Sequence, residues 1–120
     1  MRVGFVQNNP VFGSVLENLD RVEALLEGQS ADLFVLPELF ATGYQLKNIE
    51  ESRSLAELVP GGVTTSALTA IAKKINAYII AGLAEIDEDQ VYNSAVITGP
   101  NGYIGKYRKL HLFDTEKACF

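Results

Sequence analysis

Glu38 stands directly after an apolar run, Leu33 to Leu36, and a proline. Four apolar residues in a row predict a short strand that is buried on both faces, and Pro37 ends such a strand because it has no N–H to donate. Ligands of open α/β sheets bind at the carboxyl ends of the strands. A carboxylate held there among apolar neighbours loses solvation and becomes a stronger base. An ordinary glutamate in a solvated loop is the alternative, and this stretch alone leaves both open.

Lys109 is the second residue whose position suggests chemistry. It follows a predicted strand, Tyr103 to Arg108, and precedes the apolar residues Leu110, Leu112 and Phe113. A cation in a partly dry pocket can stabilise an oxyanion, and a neighbouring carboxylate keeps that cation charged. By base rate alone, a surface lysine in a basic loop is the commoner situation. We nevertheless expect Glu38 and Lys109 to lie within side-chain reach at the carboxyl edge of the sheet, because each ends a strand and their charges are complementary.

The elements that must position these residues begin with a β-α-β unit. Val3 to Val6 is apolar and predicts a first buried strand. Ser14, with Glu17 three residues later, matches a capping box and predicts the start of a helix, and Gly28 predicts its end. The mostly apolar face of this helix consists of Leu16, Leu19, Val22, Glu23 and Leu26. Leu33 to Leu36 is the next strand, so we expect a parallel pair with a right-handed crossover.

A second helical unit follows. Lys47 to Leu55 is polar and irregular, and a short helix is one interpretation of it. Thr64 or Thr65, after the turn Pro60-Gly61-Gly62, can cap a longer helix that ends at Asn76. Its apolar residues recur at helical spacing and predict one packed face: Leu68, Ile71, Ala72 and Ile75.

The last strands are predicted to form a meander. Tyr78 to Ala84 is apolar and predicts another fully buried strand, which completes a second β-α-β unit. Asp87 to Asp89 is a charged turn, and Gly99 to Gly102 is a strong turn signal before Tyr103 to Tyr107. We therefore predict an α/β fold, β-α-β-α-β followed by a strand meander. Two helices leave one face of a sheet of about five strands bare, which parallel sheets do not tolerate, so the chain looks cut short.

Composition and charge exclude several classes of protein. Of 120 residues, 48% are hydrophobic and 21% are charged, as in an ordinary globular domain. The net charge of −5 argues against a surface for nucleic acid or acidic membrane, because both need clustered Lys and Arg. No apolar run approaches a membrane span, and Met1 to Val6 is too short for a signal peptide. The single cysteine excludes an internal disulfide. We expect a cytoplasmic protein.

Several stretches together resemble the nitrilase superfamily of carbon–nitrogen hydrolases. They are Pro37-Glu38-Leu39-Phe40 with Gly43-Tyr44, Gly105 to Phe113, Tyr92-Asn93-Ser94-Ala95 before the Gly99 to Gly102 turn, and the opening Val3 to Gln7. The resemblance covers the whole chain in order, and the combination is far more specific than any one motif.

The resemblance implies the N-terminal part of an αββα sandwich with a Glu-Lys-Cys site, assembled into dimers or larger oligomers. On the matching positions, Glu38 would be the general base and Lys109 would stabilise the tetrahedral intermediate. Glu116 falls where many members carry a second active-site glutamate, and Tyr44 would contact the substrate. That substrate would be a small amide or nitrile, and we expect no cofactor and no metal.

The chain departs from the family pattern at the nucleophile. The family's cysteine follows the lysine by a few dozen residues, on a later strand-to-helix turn. Cys119 lies only ten positions beyond Lys109, in a segment that the family uses as an ordinary loop, and we do not expect it to be the nucleophile. We predict that residues 1–120 are the N-terminal part of one hydrolase domain, truncated before its cysteine, and inactive alone. We expect His111 to pack or hydrogen-bond, and Glu85 to be a polar strand end rather than a partner of the site.

Two other functions compete with a hydrolase. A truncated or degenerate module could bind a partner through its uncovered sheet face, which the missing cysteine favours and the intact Glu38 and Lys109 disfavour. A nucleotide-binding α/β domain is disfavoured. Neither of the glycine-rich phosphate-binding motifs, G-x-G-x-x-G and G-x-x-x-x-G-K-[ST], follows the first strand.

Overall fold

The fold is one sheet with helices packed on one of its faces, as the computed structural model of residues 1–120 shows. The five strands lie in chain order, β1 (Val3–Phe5), β2 (Leu33–Val35), β3 (Tyr78–Asp87), β4 (Gln90–Gly99) and β5 (Gly102–Arg108). β1, β2 and β3 are parallel, whereas β3, β4 and β5 are antiparallel neighbours. The predicted α/β topology with a terminal meander is therefore confirmed.

Three α-helices and one 3₁₀ helix complete the chain: α1 (Val15–Leu26), α2 (Ile49–Leu55), α3 (Val63–Ile75) and the 3₁₀ helix Asp114–Ala118. None of these helices has both the length and the apolar character needed to cross a membrane. The predicted apolar faces of α1 and α3 pack against the sheet and form its core. Among the core side chains are Val22, Leu26, Phe34, Leu68, Ile71, Ile79, Ala81 and Val96.

The opposite face of the sheet has no layer over it. In β2, the side chains of Phe34 and, just beyond the strand, Leu36 are buried on the helical side, whereas Val35 is 37% exposed. Phe5 pairs with Val35 across the sheet and is 79% exposed. The prediction that these strands are buried on both faces is thus wrong for this chain, because helices cover only one face. The bare face that the helix count predicted is present.

The starts of the two main helices differ from the prediction. Ser14 precedes α1 but makes no side-chain capping hydrogen bond. Glu17, the other half of the predicted capping box, accepts from Arg21 at 2.5 Å, and the Ser14 N–H donates to the Val11 carbonyl at 3.1 Å. Leu16 is 66% exposed and lies outside the core. Gly28, just after α1, has a φ of +73° and serves the predicted ending.

In α3, Thr64 and Thr65 lie inside the first turn and do not cap it. Glu57 does so instead, because its carboxylate accepts both the Thr64 N–H at 2.7 Å and the Thr64 hydroxyl at 2.5 Å. A carboxylate at a helix N-terminus satisfies free N–H groups and meets the positive end of the helix dipole. Asn76 ends α3 in the left-handed conformation, as predicted.

Candidate active site

Glu38 is placed by the close approach of two segments. β2 ends at Val35, and the chain then passes directly over β3, where the Gly82 N–H donates to the Pro37 carbonyl at 3.3 Å. A Cβ at Gly82 would lie only 2.6 Å from the Cα of Glu38. Leu39 then adopts a φ of +51° and is 2% exposed. A glycine on one strand and a sharp turn on the other therefore set the position of Glu38.

Lys109 follows β5, the strand at the far edge of the sheet, and its side chain reaches back to Glu38. Its backbone N–H donates to the Asn93 carbonyl at 2.9 Å, just beyond the end of β5. Its Nζ lies 3.0 Å from Glu38 Oε1 and 2.9 Å from Glu116 Oε2. Because β5 runs in the same direction as β2 and β3, the two strands that precede Glu38 and Lys109 end at one edge. The predicted proximity of these two side chains is confirmed.

Glu116 is the most heavily bonded group of the site. Its Oε1 accepts from the Tyr44 hydroxyl at 2.6 Å, from Lys109 Nζ at 3.1 Å and from Asn93 Nδ2 at 3.2 Å. Its Oε2 accepts from Lys109 Nζ and from the Phe113 N–H at 2.6 Å. Burial raises the pKa of Glu116, but the hydrogen bonds from Tyr44, Phe113 and Lys109 outweigh it and bring the pKa to about 2. Glu116 is therefore a fixed anion at neutral pH.

The same contacts act on the groups that donate to these carboxylates. Hydrogen bonds to Glu116 and then to Glu38 raise the pKa of Lys109, so this lysine stays charged. The hydrogen bond to Glu116 is also the main cause that raises the pKa of Tyr44. Tyr44 as a residue is 53% exposed, although its hydroxyl is bound to Glu116. Its predicted contact with substrate stays a prediction.

The Glu38 carboxylate is more accessible than its sequence context predicts. Its side chain is 36% exposed, so the expected desolvation among apolar residues is wrong. The sheet face beside Glu38 is uncovered, and the side chains that bond to its carboxylate are the polar Asn93 and Lys109. Both hydrogen bonds that Glu38 accepts end on Oε1, which leaves Oε2 free to receive a proton.

An open cavity of about 230 Å³ adjoins these groups on the uncovered face. Its lining includes Glu38 and Lys109 beside apolar residues of β3 and β4 and Tyr107 of β5. A somewhat larger cavity, about 300 Å³, lies next to β1, and Arg2 is the only charged residue that lines it. Of these two cavities, the smaller one offers both a carboxylate and an ammonium group to a ligand.

Sequence reasoning gave no role to Asn93, which the structure places in contact with both glutamates. Asn93 was named only as a member of the stretch Tyr92-Asn93-Ser94-Ala95. Period-two alternation along β4 was the available signal, because it puts Asn93 on the same face as Ala95 and the cavity.

Glu85 belongs to a different cluster on the helical face of the sheet. Its buried carboxylate accepts from Ser94 at 2.6 Å, from Arg108 and from Lys106. Burial raises the pKa of Glu85, but the Arg108, Lys106 and Ser94 hydrogen bonds lower it to about 2. The expectation of a simple polar strand end is thus wrong, because β3 continues to Asp87 and Glu85 is 0% exposed.

Neither of the two remaining candidates hydrogen-bonds to Glu38, whose carboxylate accepts only from Asn93 and Lys109. Cys119 is buried, and its Sγ lies 3.5 Å from the Leu46 carbonyl. His111 is exposed, so the expectation that it packs is wrong.

The sequence of this chain is similar to those of known proteins. A family model described as carbon–nitrogen hydrolase matches residues 2–119. The chain is 46% identical over 123 residues to a nitrilase of Pyrococcus abyssi, covering 100% of this chain and 47% of that protein. It is 41% identical over 106 residues to a 2-oxoglutaramate amidase of Bacillus subtilis, covering 85% of this chain and 39% of that protein. The chain thus spans less than half the length of these curated relatives.

Solved structures share the fold. A crystal structure of an N-terminal amidase superposes with a TM-score of 0.90 at 29% identity, covering 98% of this chain and 30% of that one. A carbon–nitrogen hydrolase superfamily protein from Xanthomonas campestris, with an arsenic adduct in its active site, gives a TM-score of 0.80 at 32% identity, covering 93% and 41% of the two chains.

Proposed function

Because the chain belongs to the carbon–nitrogen hydrolase family, we propose that it supplies the base and the oxyanion-stabilising cation of an enzyme that cleaves a small amide or nitrile. Glu38 is the general base, Lys109 the oxyanion stabiliser, and Glu116 the anion that holds Lys109. Residues 1–120 are then the N-terminal part of one hydrolase domain, and its nucleophilic cysteine lies outside them.

The observation that supports this proposal best is the contact of one lysine with two carboxylates beside a cavity. Lys109 Nζ lies 3.0 Å from Glu38 and 2.9 Å from Glu116, next to about 230 Å³ of open space. The contacts with Glu116 are to both of its oxygens, so one shared N–H can serve both of them. A lysine has three N–H donors, and one then remains for a substrate oxygen.

The proposed reaction uses the free oxygen of Glu38. Oε2 takes the proton of the cysteine thiol, and the thiolate sulfur bonds to the amide carbon. The carbonyl oxygen gains negative charge and accepts a hydrogen bond from Lys109. Glu38 returns its proton to the leaving nitrogen as the C–N bond breaks, which leaves a thioester. Water then loses a proton to Glu38 and attacks the thioester carbon. As the C–S bond breaks, Glu38 returns that proton to the sulfur, which releases the acid and restores the thiol and the Glu38 carboxylate.

A primary carboxamide at the end of a short chain is the substrate class that we propose first. The relatives named 2-oxoglutaramate amidase and omega-amidase act, by their names, on terminal amides. Structures of the N-terminal amidase contain peptides that begin with glutamine or asparagine. Nitriles remain the second class, since the Pyrococcus relative is named a nitrilase.

We also propose that residues 1–120 alone are inactive. Covalent catalysis needs nucleophile, base and oxyanion stabiliser together, and residues that act as a unit lose nearly all activity when one is absent. The Cys119 thiol is buried against the Leu46 carbonyl, which does not resemble an activated thiol.

The test is an ammonia-release assay with 2-oxoglutaramate, succinamate, short aliphatic amides and nitriles. The 120-residue chain, its Cys119→Ser variant and the gene product extended through the next downstream cysteine are compared. We expect turnover only from the extended protein. Turnover of the 120-residue chain that Cys119→Ser abolishes would assign the nucleophile to Cys119, and an inactive extended protein would refute the hydrolase.

The alternative is a non-catalytic module that associates through its bare sheet face. Exposed Phe5, Tyr78 and Ile104 favour it, because contiguous exposed apolar surface marks interaction sites.

For the hydrolase, we also propose homo-oligomers and a cytoplasmic location. The ammonia-release assay on the extended protein distinguishes the two functions, since both allow association but only the hydrolase should turn over amides.

A further inference from the structure

Asn93 contacts every charged member of the site. Its Nδ2 lies 2.5 Å from Glu38 Oε1 and 3.2 Å from Glu116 Oε1, and its backbone carbonyl accepts the Lys109 N–H at 2.9 Å. The residue is 4% exposed and lies in β4 opposite Ala84 of β3. We propose that Asn93 is the positioning residue of the site, and that its side-chain amide selects which oxygen of Glu38 is free to take a proton.

The chemistry of the amide supports this assignment. An asparagine amide has two N–H donors on its nitrogen and none on its oxygen. Turning the amide over would place its oxygen against two carboxylates, which is unfavourable, so the nitrogen must face Glu38 and Glu116. One N–H can then serve each glutamate. No single-donor side chain can do this.

The consequence is an unequal pair of oxygens on Glu38. Oε1 receives both Asn93 and Lys109, whereas Oε2 receives no hydrogen bond from the protein. Rotation of the carboxylate would break two charge-assisted hydrogen bonds at once, and such bonds are the stronger class. Asn93 therefore keeps Oε1 occupied and Oε2 without a protein partner, on a residue that lines the cavity, and its amide also lies between two like charges that share one lysine.

Removal of this amide should make Glu38 a stronger base, because a hydrogen bond to the charged form favours that form. The titratable groups around the Glu38 carboxylate are the side chains of Lys109, Glu116, Tyr44 and Tyr107. Glu116, with its pKa of about 2, stays ionised above that pH. A shift in the Glu38 midpoint therefore reports on the lost amide.

The experiment is a carbon-13 NMR titration of the Glu38 carboxyl in the 120-residue chain, at a concentration where sedimentation shows one species. We expect Asn93→Ala to raise the midpoint by about one pH unit, the tenfold change that one hydrogen bond to a charged group produces. Ser94→Ala is the matched control, since it removes a buried hydrogen bond on the other face, at 2.6 Å from Glu85. That control should leave the midpoint of Glu38 unchanged.

An unchanged midpoint in Asn93→Ala would overturn the proposal, and so would an equal shift in the control. If Asn93→Ala does not fold, Asn93→Ser takes its place. Serine keeps a buried polar group but is too short to reach both carboxylates, so the same upward shift is expected. The role of Glu38 as a base rests on the proposed function, whereas this titration needs no catalysis. The proposed function and the proposed positioning role of Asn93 can therefore be refuted independently.

Discussion

At the scale of single residues, the two glutamates of the site are made different by their hydrogen bonds. Glu116 accepts at both oxygens and is buried, while Glu38 accepts at one oxygen and is 36% exposed at its side chain. A carboxylate whose oxygens are all occupied cannot take up a proton without losing a bond. Only Glu38 has the free oxygen that a general base needs.

Glu38→Gln in the extended protein tests this difference. Glutamine keeps the shape and can still accept from Lys109 through its oxygen, but it cannot take a proton. We expect kcat to fall by about 10²–10⁴, the usual contribution of a general base, with an unchanged thermal midpoint because the side chain is partly exposed. Glu50→Gln, at an exposed position of α2, is the matched control. Near-normal turnover in Glu38→Gln would refute the role of Glu38.

At the scale of elements, the placement of Glu38 depends on the absence of a side chain in β3. A Cβ at position 82 would meet the Cα of Glu38 at 2.6 Å and the Leu39 nitrogen at 3.2 Å. Backbone atoms cannot swing away as the end of a flexible side chain can. The segment after β2 can pass over β3 only because residue 82 is glycine.

Gly82→Ala should therefore move Glu38 and destabilise the chain, by about 1–3 kcal/mol as for other overpacked sites. The matched control is Gly105→Ala, since Gly105 is also in a strand but no atom lies within 4 Å of its added Cβ. Denaturant unfolding measures both variants. Equal midpoints for Gly82→Ala and Gly105→Ala would show that the segment after β2 can shift without cost.

The elements themselves were largely predictable from local pattern. The helical spacing of Leu68, Ile71 and Ala72 predicted the packed face of α3, and Asn76 predicted its end, because both signals lie within a few residues of each other. The cap of α3 was not predictable in this way. It comes from Glu57, outside the helix, and the tertiary course of the chain decides that contact.

The site was also predictable only in part. The proximity of Glu38 and Lys109 could be predicted, because their charges are complementary and each follows a strand that ends at the same edge of the sheet. The exposure of Glu38 and the role of Asn93 were missed, because both depend on the neighbours of one face. A sequence motif names such a residue without saying what it contacts.

At the scale of the whole molecule, stability should depend on pH through two buried carboxylates. The pKa of Glu85 and that of Glu116 are both lowered from 4.5 to about 2, in spite of burial, which alone would raise them. A lowered pKa stabilises the folded state above the unfolded value, and this stability is lost as pH falls from about 4.5 toward 2. For Glu85, whose side chain is 0% exposed, the shift corresponds to about 3 kcal/mol at neutral pH.

Urea unfolding between pH 7 and pH 2.5 checks this expectation. The free energy of unfolding should fall most steeply below pH 4.5. Glu85→Gln should reduce stability at pH 7 and flatten this decline, since its carboxylate no longer titrates and Lys106 and Arg108 lose a charged partner. Asp87→Asn is the control, because Asp87 also pairs with Arg108 but its side chain is 53% exposed. An identical pH profile for wild type and Glu85→Gln would contradict this assignment.

The uncovered face also belongs to the whole molecule, because it crosses four strands. Phe5, Val35, Ile80 and Ile97 form one row across β1 to β4, and the Phe5 side chain at the end of the row is 79% exposed. Parallel sheets are stable when both faces are covered. Residues 1–120 in isolation should therefore self-associate through this face.

Sedimentation velocity over a range of concentrations measures this association. A Phe5→Ser, Val35→Thr double variant should weaken the association by at least about tenfold, because each change removes apolar surface that the contact would bury. Leu16→Ser is the matched control, since Leu16 is 66% exposed on α1, which packs on the other side of the sheet. Association that weakens equally in the control would place the contact on the helices, and a monomer at every concentration would show that the bare face is stable in water.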